Sequence, residues 1–335
     1  MRYAEVEATD AGPRVRRLGT CDFDVDAEAA VFGAAADESA RADGARTDDA
    51  LVAVADALRD VFAGTAARSL VVAAAATAST AFFTPLPAGM SAAAREEQFR
   101  QEAALLADVP PATPVRVRAV AVRAERASGG DAAADRQWYH VLHVGEAVHA
   151  RLGRLALALG VASYDVADTS RAAAALARAL PASVTSAPGE ASGEASGEAP
   201  GGGLDLIVGV YGGHTEVAVA REGDLLLGHH GAGTTPEDTA YFALAALDAV
   251  GTSAAGIGRL LVYGDALGET AEGVPARLAL LAQLAGVAPR PLDALALFGR
   301  PVAASPWELA AFAPVLGAAL EAASAAAGEV VPADA

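Results

Sequence analysis

Apolar and polar positions are patterned most legibly between Gly203 and Gly233, GLDLIVGVYGGHTEVAVAREGDLLLGHHGAG. Leu204 to Val210 is a nearly continuous apolar run, the pattern of a strand buried on both faces. Thr215 to Ala220 alternates, with Thr215, Val217 and Val219 on one side and Glu216, Ala218 and Ala220 on the other. Gly212-Gly213 between the two runs marks a hairpin turn. Arg221 to Asp224 marks a second turn, and Leu225 to Gly228 a third strand. The stretch therefore predicts a compact antiparallel meander. A helix to about Val250 follows, capped by Thr234 or Thr235, with Pro236 in its first turn and Glu237 and Asp238 at its positive end.

The same reading covers the rest of the chain. Arg2–Ala8, Val15–Leu18 and an extension over 20–25 predict three opening strands, a layout resembling 204–231. Asp48 to Phe62 predicts a helix with Leu51, Val54, Ala55 and Leu58 on its apolar face, and Ser69 to Ala76 a buried strand. Phe82–Pro87 is extended. Ser91 caps a helix to about Ala107. Val115–Arg123 and Gln137–Val144 read as paired strands, Glu146–Leu159 as an amphipathic helix, Ala162–Val166 as a strand and Ser170–Leu180 as a helix. Three successive tetrapeptides, Gly189 to Pro200, place a flexible linker over 181–203. Beyond the second meander, Arg259–Tyr263 predicts a strand, Thr270 or Glu272 opens a helix to Ala285, and Pro289–Leu292 predicts a short strand. Ser305 caps a last helix over Trp307 to about Ala325, interrupted near Pro314. Residues 328–335 read as frayed.

Composition narrows the function classes. The chain has 335 residues, 53% of them hydrophobic, ample for two domains. Its net charge of -18 argues against a nucleic-acid partner, which needs a basic face. No apolar run is long enough to cross a bilayer, so no direct membrane insertion and a cytoplasmic location are expected. The chain contains no Lys and no Asn, which removes P-loop and Schiff-base lysine chemistry. The single cysteine, Cys21, excludes an internal disulfide and a thiolate metal cluster. It reads as a small strand residue rather than a nucleophile.

Two halves, each with a three-stranded meander, a helix and a parallel strand, are the plan of the actin-like fold. This chain resembles that superfamily, and within it the type IV pilus assembly PilM branch, close to the FtsA branch. Phe82 to Leu106, FFTPLPAGMSAAAREEQFRQEAALL, resembles the family's strand, turn and helix. Val115–Val144 resembles its inserted subdomain, Leu204–Gly233 its second phosphate segment, Leu260–Asp265 its adenosine segment, and Phe312–Ala319 its closing helix. The resemblance implies a duplicated two-lobed α/β (RNase H-like) fold. The N-terminal lobe spans 1–180 with an inserted α+β subdomain at about 82–150. The C-terminal lobe spans 204–327.

The departures from the family carry the functional expectation. Its second phosphate loop reads Asp-x-Gly-x-x-x-Thr. Aligned on Thr215, this chain has Gly209 for the Asp and Tyr211 for the Gly. The first loop keeps only Asp10 and Gly12, out of order, and Gly264-Asp265 replaces a Gly-Gly pair. The expectation is a non-hydrolysing relative with no cofactor, or with ATP and Mg²⁺ if Asp10, Gly212, Gly213, His214, Thr215, Gly264 and Asp265 still surround a nucleotide. An active ATPase or a filament former is the alternative. The resemblance also implies a scaffold peripheral at the inner membrane, holding the cytoplasmic tail of a bitopic partner, with a homodimer as a further possibility. The interface falls at 82–150, where Arg116, Arg118 and Arg123 flank an apolar stripe, or else form a plain solvated strand face.

Each local motif has a plainer counterpart. Gly212 to Thr215 cradles a phosphate or is only a hairpin turn. Gly231 to Thr234 is an anion site or an ordinary helix entrance. Asp10, Asp205 and Asp265 hold Mg²⁺ through water, or cap helices and turns. His140, His143 and His149 have metal-like spacing, but His140 and His143 fall on opposite strand faces. His229 and His230 likewise point apart.

Overall fold

The computed structural model describes residues 1–9, 12–33, 41–65, 67–74, 79–108, 115–126, 135–180, 203–267, 275–294 and 304–328. They form two compact units: Met1–Glu5 with Arg16–Asp168, and Val6–Val15 with Thr169–Ala335. The Gly/Glu/Ala/Ser stretch at 181–202, Asp10, and the tail at 329–335 lie outside the described residues.

The chain opens with β1 (Arg2–Thr9) and β2 (Gly12–Thr20), of which Arg2–Glu5 and Arg16–Thr20 belong to the first unit; that unit also contains α1 (Ala27–Phe32), α2 (Arg41–Val61), β3 (Ser69–Ala74), β4 (Thr80–Pro87), α3 (Ala92–Leu106), β5 (Val117–Glu125), β6 (Arg136–His143), α4 (Glu146–Leu159) and β7 (Ser163–Asp168). The expected third opening strand is absent: β1 and β2 form a two-stranded sheet, and residues 21–26 are irregular. Asp26 is the reason. Its carboxylate accepts the Ala29 amide and caps α1, turning the chain into a helix where Phe23 and Val25 alone would continue a strand. Cys21 accordingly lies just beyond β2, buried, and its carbonyl accepts the amine of Met1. Helix α2 begins at Arg41, ahead of the Asp48 start expected from the apolar periodicity.

Strands β3 and β7 pair in parallel. Leu51, Val54 and Leu58 of α2 and Val148, Leu152 and Leu155 of α4 form one core with Ala74 and Val166. A second, smaller core lies under α3, where Phe99 meets Leu86 of β4 and Val141 of β6. That sheet runs β4-β6-β5 and is antiparallel throughout, which leaves β5 at an edge.

The second unit contains α5 (Thr169–Ala179), β8 (Leu204–Val210), β9 (Thr215–Arg221), β10 (Asp224–Gly231), α6 (Pro236–Ala249), β11 (Ile257–Gly264), α7 (Ala279–Ala285), β12 (Pro289–Pro291), α8 (Pro306–Ala310) and α9 (Ala313–Gly328). Its sheet order is β10-β9-β8-β11-β12. Strands β8 to β10 are the antiparallel meander; β11 lies parallel to β8 and β12 parallel to β11. Every residue of β8 is buried. Leu204, Leu206, Val208 and Val210 project to one face and pack with Ala243 and Leu247 of α6 and Leu281 of α7. The turn from β9 to β10 places Glu222 and Gly223 at φ 53° and 87°, the left-handed pair that a tight hairpin of this hand needs.

Helix α6 starts with a capping box: Thr235 accepts the Asp238 amide and Asp238 accepts back from Thr235. Thr270 and Glu272 lie outside the described residues; the described helix there is a 3-10 turn at Ala276–Leu278 followed by α7. The last helix is broken at residues 311–312 into α8, capped by Ser305, and α9. Pro314 thus falls in the first turn of α9, where its missing N–H costs nothing.

Helices α5 and α9 approach at Gly317, where a Cβ would stand 1.8 Å from the Ala172 carbonyl oxygen. Gly317→Ala should therefore lower unfolding free energy by more than about 2 kcal/mol, because backbone must move. Gly153→Ala in α4, whose added Cβ would meet only a Tyr164 ring atom at 3.5 Å, should be neutral or stabilising by up to about 1 kcal/mol. Urea unfolding of the two variants checks the contrast.

Candidate functional site

Two loops of the second unit carry Gly212, Gly213 and His214 and the expected anion site at Gly231 to Thr234. Residues 211–214 join β8 to β9, closed by the Tyr211 amide donating to the His214 carbonyl at 3.1 Å. The Tyr211 and His214 rings stack 4.5 Å apart across this turn. Residues 231–235 lead from β10 into α6. Thr215, fully buried, links the two: its hydroxyl donates to the Gly233 carbonyl at 3.1 Å.

A third group completes the junction. Arg277, in the 3-10 turn before α7, donates to the Tyr211 carbonyl (2.5 Å), the Gly233 carbonyl (2.9 Å) and the Thr215 hydroxyl oxygen (3.0 Å). The space beside Thr215 is thus lined by carbonyl oxygens and filled by a cation. Burial holds the Arg277 guanidinium below its ordinary range, opposed by the Asp238 carboxylate. The helix entrance is occupied as well. The amides of Thr234 and Thr235 donate to Asp238 Oδ2 at 3.2 and 3.1 Å, and hydrogen bonding to Thr235, then to Thr234, holds the Asp238 carboxyl below the usual range. The donors that an anion would use at a helix N-terminus already carry a carboxylate.

Behind the turn lies Glu216, fully buried. It accepts from Thr169 Oγ1 at 2.6 Å and Tyr263 Oη at 2.8 Å, and His214 Nε2 stands 3.3 Å away. Strand alternation alone allows Glu216 a solvated face; helices cover both faces of this sheet, so the carboxylate is interior and must be hydrogen-bonded. Tyr263 also explains Gly209: a Cβ there would come 2.5 Å from the Tyr263 ring. The space over Gly209, where the resemblance implies an aspartate in other chains, is filled by a tyrosine side chain from β11.

Gly264 has a backbone role, with φ at 114° and an added Cβ 2.2 Å from the Val210 carbonyl oxygen. Asp265 is exposed beside it. Gly212 and Gly213 differ, since neither has positive φ and an added Cβ at either meets nothing within 4 Å. Asp205 neither caps a helix nor closes a turn; it forms a two-pronged ion pair with Arg259 across β8 and β11. Arg277, Glu216 and Tyr263 carry no motif, and only the unsatisfied interior carboxylate implied by burying β9 could have pointed to them.

The second candidate site lies wholly in the first unit. A cleft of about 480 Å³ opens between α3 with the edge strand β5 and α4 with β7. Val115, Val117, Leu142 and Val144 supply its apolar wall, and Arg100, Arg116 and Arg118 its cations. Arg116 and Arg118 therefore come together there. Arg123 does not join them: a bulge between Ala121 and Arg123 breaks the alternation, and its guanidinium lies over the Trp138 ring at 4.4 Å. Arg118 is tied to Asp165 and to the Val166 carbonyl, both at 2.8 Å. The histidine triple is dispersed. His140 is buried against Phe83, His143 Nδ1 lies 2.9 Å from the Arg116 carbonyl oxygen, and His149 lines the cleft. Burial first, then Arg116, lowers the His149 pKa, while Glu146 and Asp165 oppose them.

Replacing Arg277 by Ala strands two carbonyls and a hydroxyl. The expected loss is about 1–3 kcal/mol of unfolding free energy, read by denaturant titration; no change would show that water substitutes for the guanidinium.

No protein-family model matches this chain, and no curated protein matches it. Among solved structures, a chain described as "PilM-PilN type IV pilus biogenesis complex" aligns over 96% of this chain and 94% of its own, with TM-score 0.62 and 15% identity. A Bacteroides thetaiotaomicron protein with an actin-like ATPase fold aligns over 70% and 75%, with TM-score 0.41 and 11% identity. The cytoplasmic domain of EpsL, an inner-membrane component of the Vibrio cholerae type II secretion system, aligns over 69% and 79%, with TM-score 0.34 and 17% identity. Among the described residues no helix is long and apolar enough to cross a membrane. The near-complete alignment, with a meander followed by a helix and parallel strands, shows that this chain has the actin-like fold in its PilM-like form.

Proposed function

We propose that this protein is a non-hydrolysing actin-like scaffold of a pilus- or secretion-type assembly, holding the cytoplasmic tail of an inner-membrane partner and sitting at that membrane only through it. The observation that carries the first half is the Arg277 junction. Its guanidinium is held by the Tyr211 and Gly233 carbonyls, and the Thr215 hydroxyl is spent on Gly233. A phosphate at this place would have to draw Arg277 away from the two carbonyls and the hydroxyl oxygen that now hold it. The missing carboxylate at Gly209 removes a group that would orient metal and water. The second half rests on the cleft beside β5 and on the fold likeness to a chain of a complex named for PilM and PilN. An extended tail segment fits an edge strand bordered by an apolar wall and arginines.

One observation favours the alternative, an ATP-binding protein. Neither the backbone angles nor the described surroundings require glycine at 212 or 213, and close approach of a ligand to the backbone is one reason to keep glycine.

Titrating the purified protein with ATP and Mg²⁺ in a calorimeter separates the two readings. The scaffold reading expects no heat of binding at millimolar nucleotide; micromolar affinity with turnover would overturn it.

A further inference from the structure

Three arginines line the cleft of the first unit, and they are not equally committed. Arg100 is held by Glu96 and Glu97 of its own helix α3. Arg118 is held by Asp165 and by a main-chain carbonyl, a pair of anchors that fixes its guanidinium. Arg116 pairs through Nε with Glu146 Oε2 at 2.9 Å, and both side chains are open to water, 59% and 45% exposed. An ion pair this exposed contributes little and exchanges readily.

Glu146 can release Arg116 at small cost for a second reason. It is the first residue of α4, whose N-cap Gly145 supplies no side-chain hydrogen bond. The positive end of the helix continues to favour its carboxylate once Arg116 has turned away. The guanidinium would then face a cleft whose wall is Val115, Val117, Leu142 and Val144.

We propose that Glu146 is a built-in competitor for the cleft's ligand: the cleft takes an extended peptide that places an aliphatic side chain against the valine-leucine wall and a carboxylate on Arg116 in place of Glu146. The proposal rests on the reading of this cleft as a peptide site. It adds the ligand's chemistry, an acidic residue beside an aliphatic one, and names Arg116 as the residue that reads it. Arg118 holds the floor of the cleft and is not exchanged. Main-chain pairing to the edge of β5 that no described strand covers supplies the sequence-independent part of the affinity.

The test uses the full chain and two fluorescein-labelled hexapeptides, Val-Glu-Val-Glu-Val-Glu and Val-Gln-Val-Gln-Val-Gln, followed by polarisation at low salt. The acidic peptide should bind the native protein more tightly than the neutral one. Glu146→Gln should tighten the acidic peptide about threefold, a gain of the size an exposed ion pair supplies, and leave the neutral peptide unchanged. Arg116→Gln should bring the two peptides to equal affinity. A thermal melt of each variant separates binding changes from folding loss. Neutral-peptide binding with no selective gain in Glu146→Gln would overturn this inference and leave the peptide site standing. Failure of both peptides to bind the native protein would overturn the site and the inference together.

Discussion

The second unit depends on one constraint: a carboxylate and a guanidinium are placed where the chain buries its loops, and each must be satisfied from within. Glu216 sits on a strand covered on both faces, so its carboxyl group has no water to turn to. Thr169, Tyr263 and His214 converge on it from α5, β11 and the glycine turn. Arg277 does the complementary work one turn outward, where Tyr211, Gly233 and Thr215 offer acceptors. Breaking either set leaves a buried polar group without a partner, which costs more than an ordinary surface bond is worth. The backbone of the loops at 211–214 and 231–235 is therefore held by side chains of the protein itself.

Much of the fold was legible because local chemistry and periodicity agreed. The nearly continuous apolar run at 204–210, the Thr235 cap with Pro236 behind it, and the Ser91 and Ser305 caps each name their element directly. The same rules failed where a short-range bond outweighed the pattern. Asp26 caps α1 and so ends the strand that Phe23 and Val25 would otherwise extend. Pro314 marks the break in the last helix only to within a few residues, because proline is welcome in the first turn of the helix that follows.

The candidate site was less legible, and the reason is long-range packing. Glu216 alternates with buried valines, so its burial follows only from helices covering the other sheet face. Tyr263 fills the space over Gly209 from 54 positions along the chain, and Arg277 reaches Tyr211 from 66 away. Neither residue has a spacing rule that would announce it. In the first unit the Val/Arg alternation pointed to β5, but a one-residue bulge removed Arg123 from the set that Arg116 and Arg118 share.

The central claim is that Arg277 permanently occupies the loop junction of the second unit. Arginine side-chain ¹⁵N NMR tests it most directly. The account predicts a guanidinium for Arg277 with resolved, slowly exchanging Nη protons, unchanged when ATP and Mg²⁺ are added. A freely rotating signal, or one displaced by nucleotide, would contradict it.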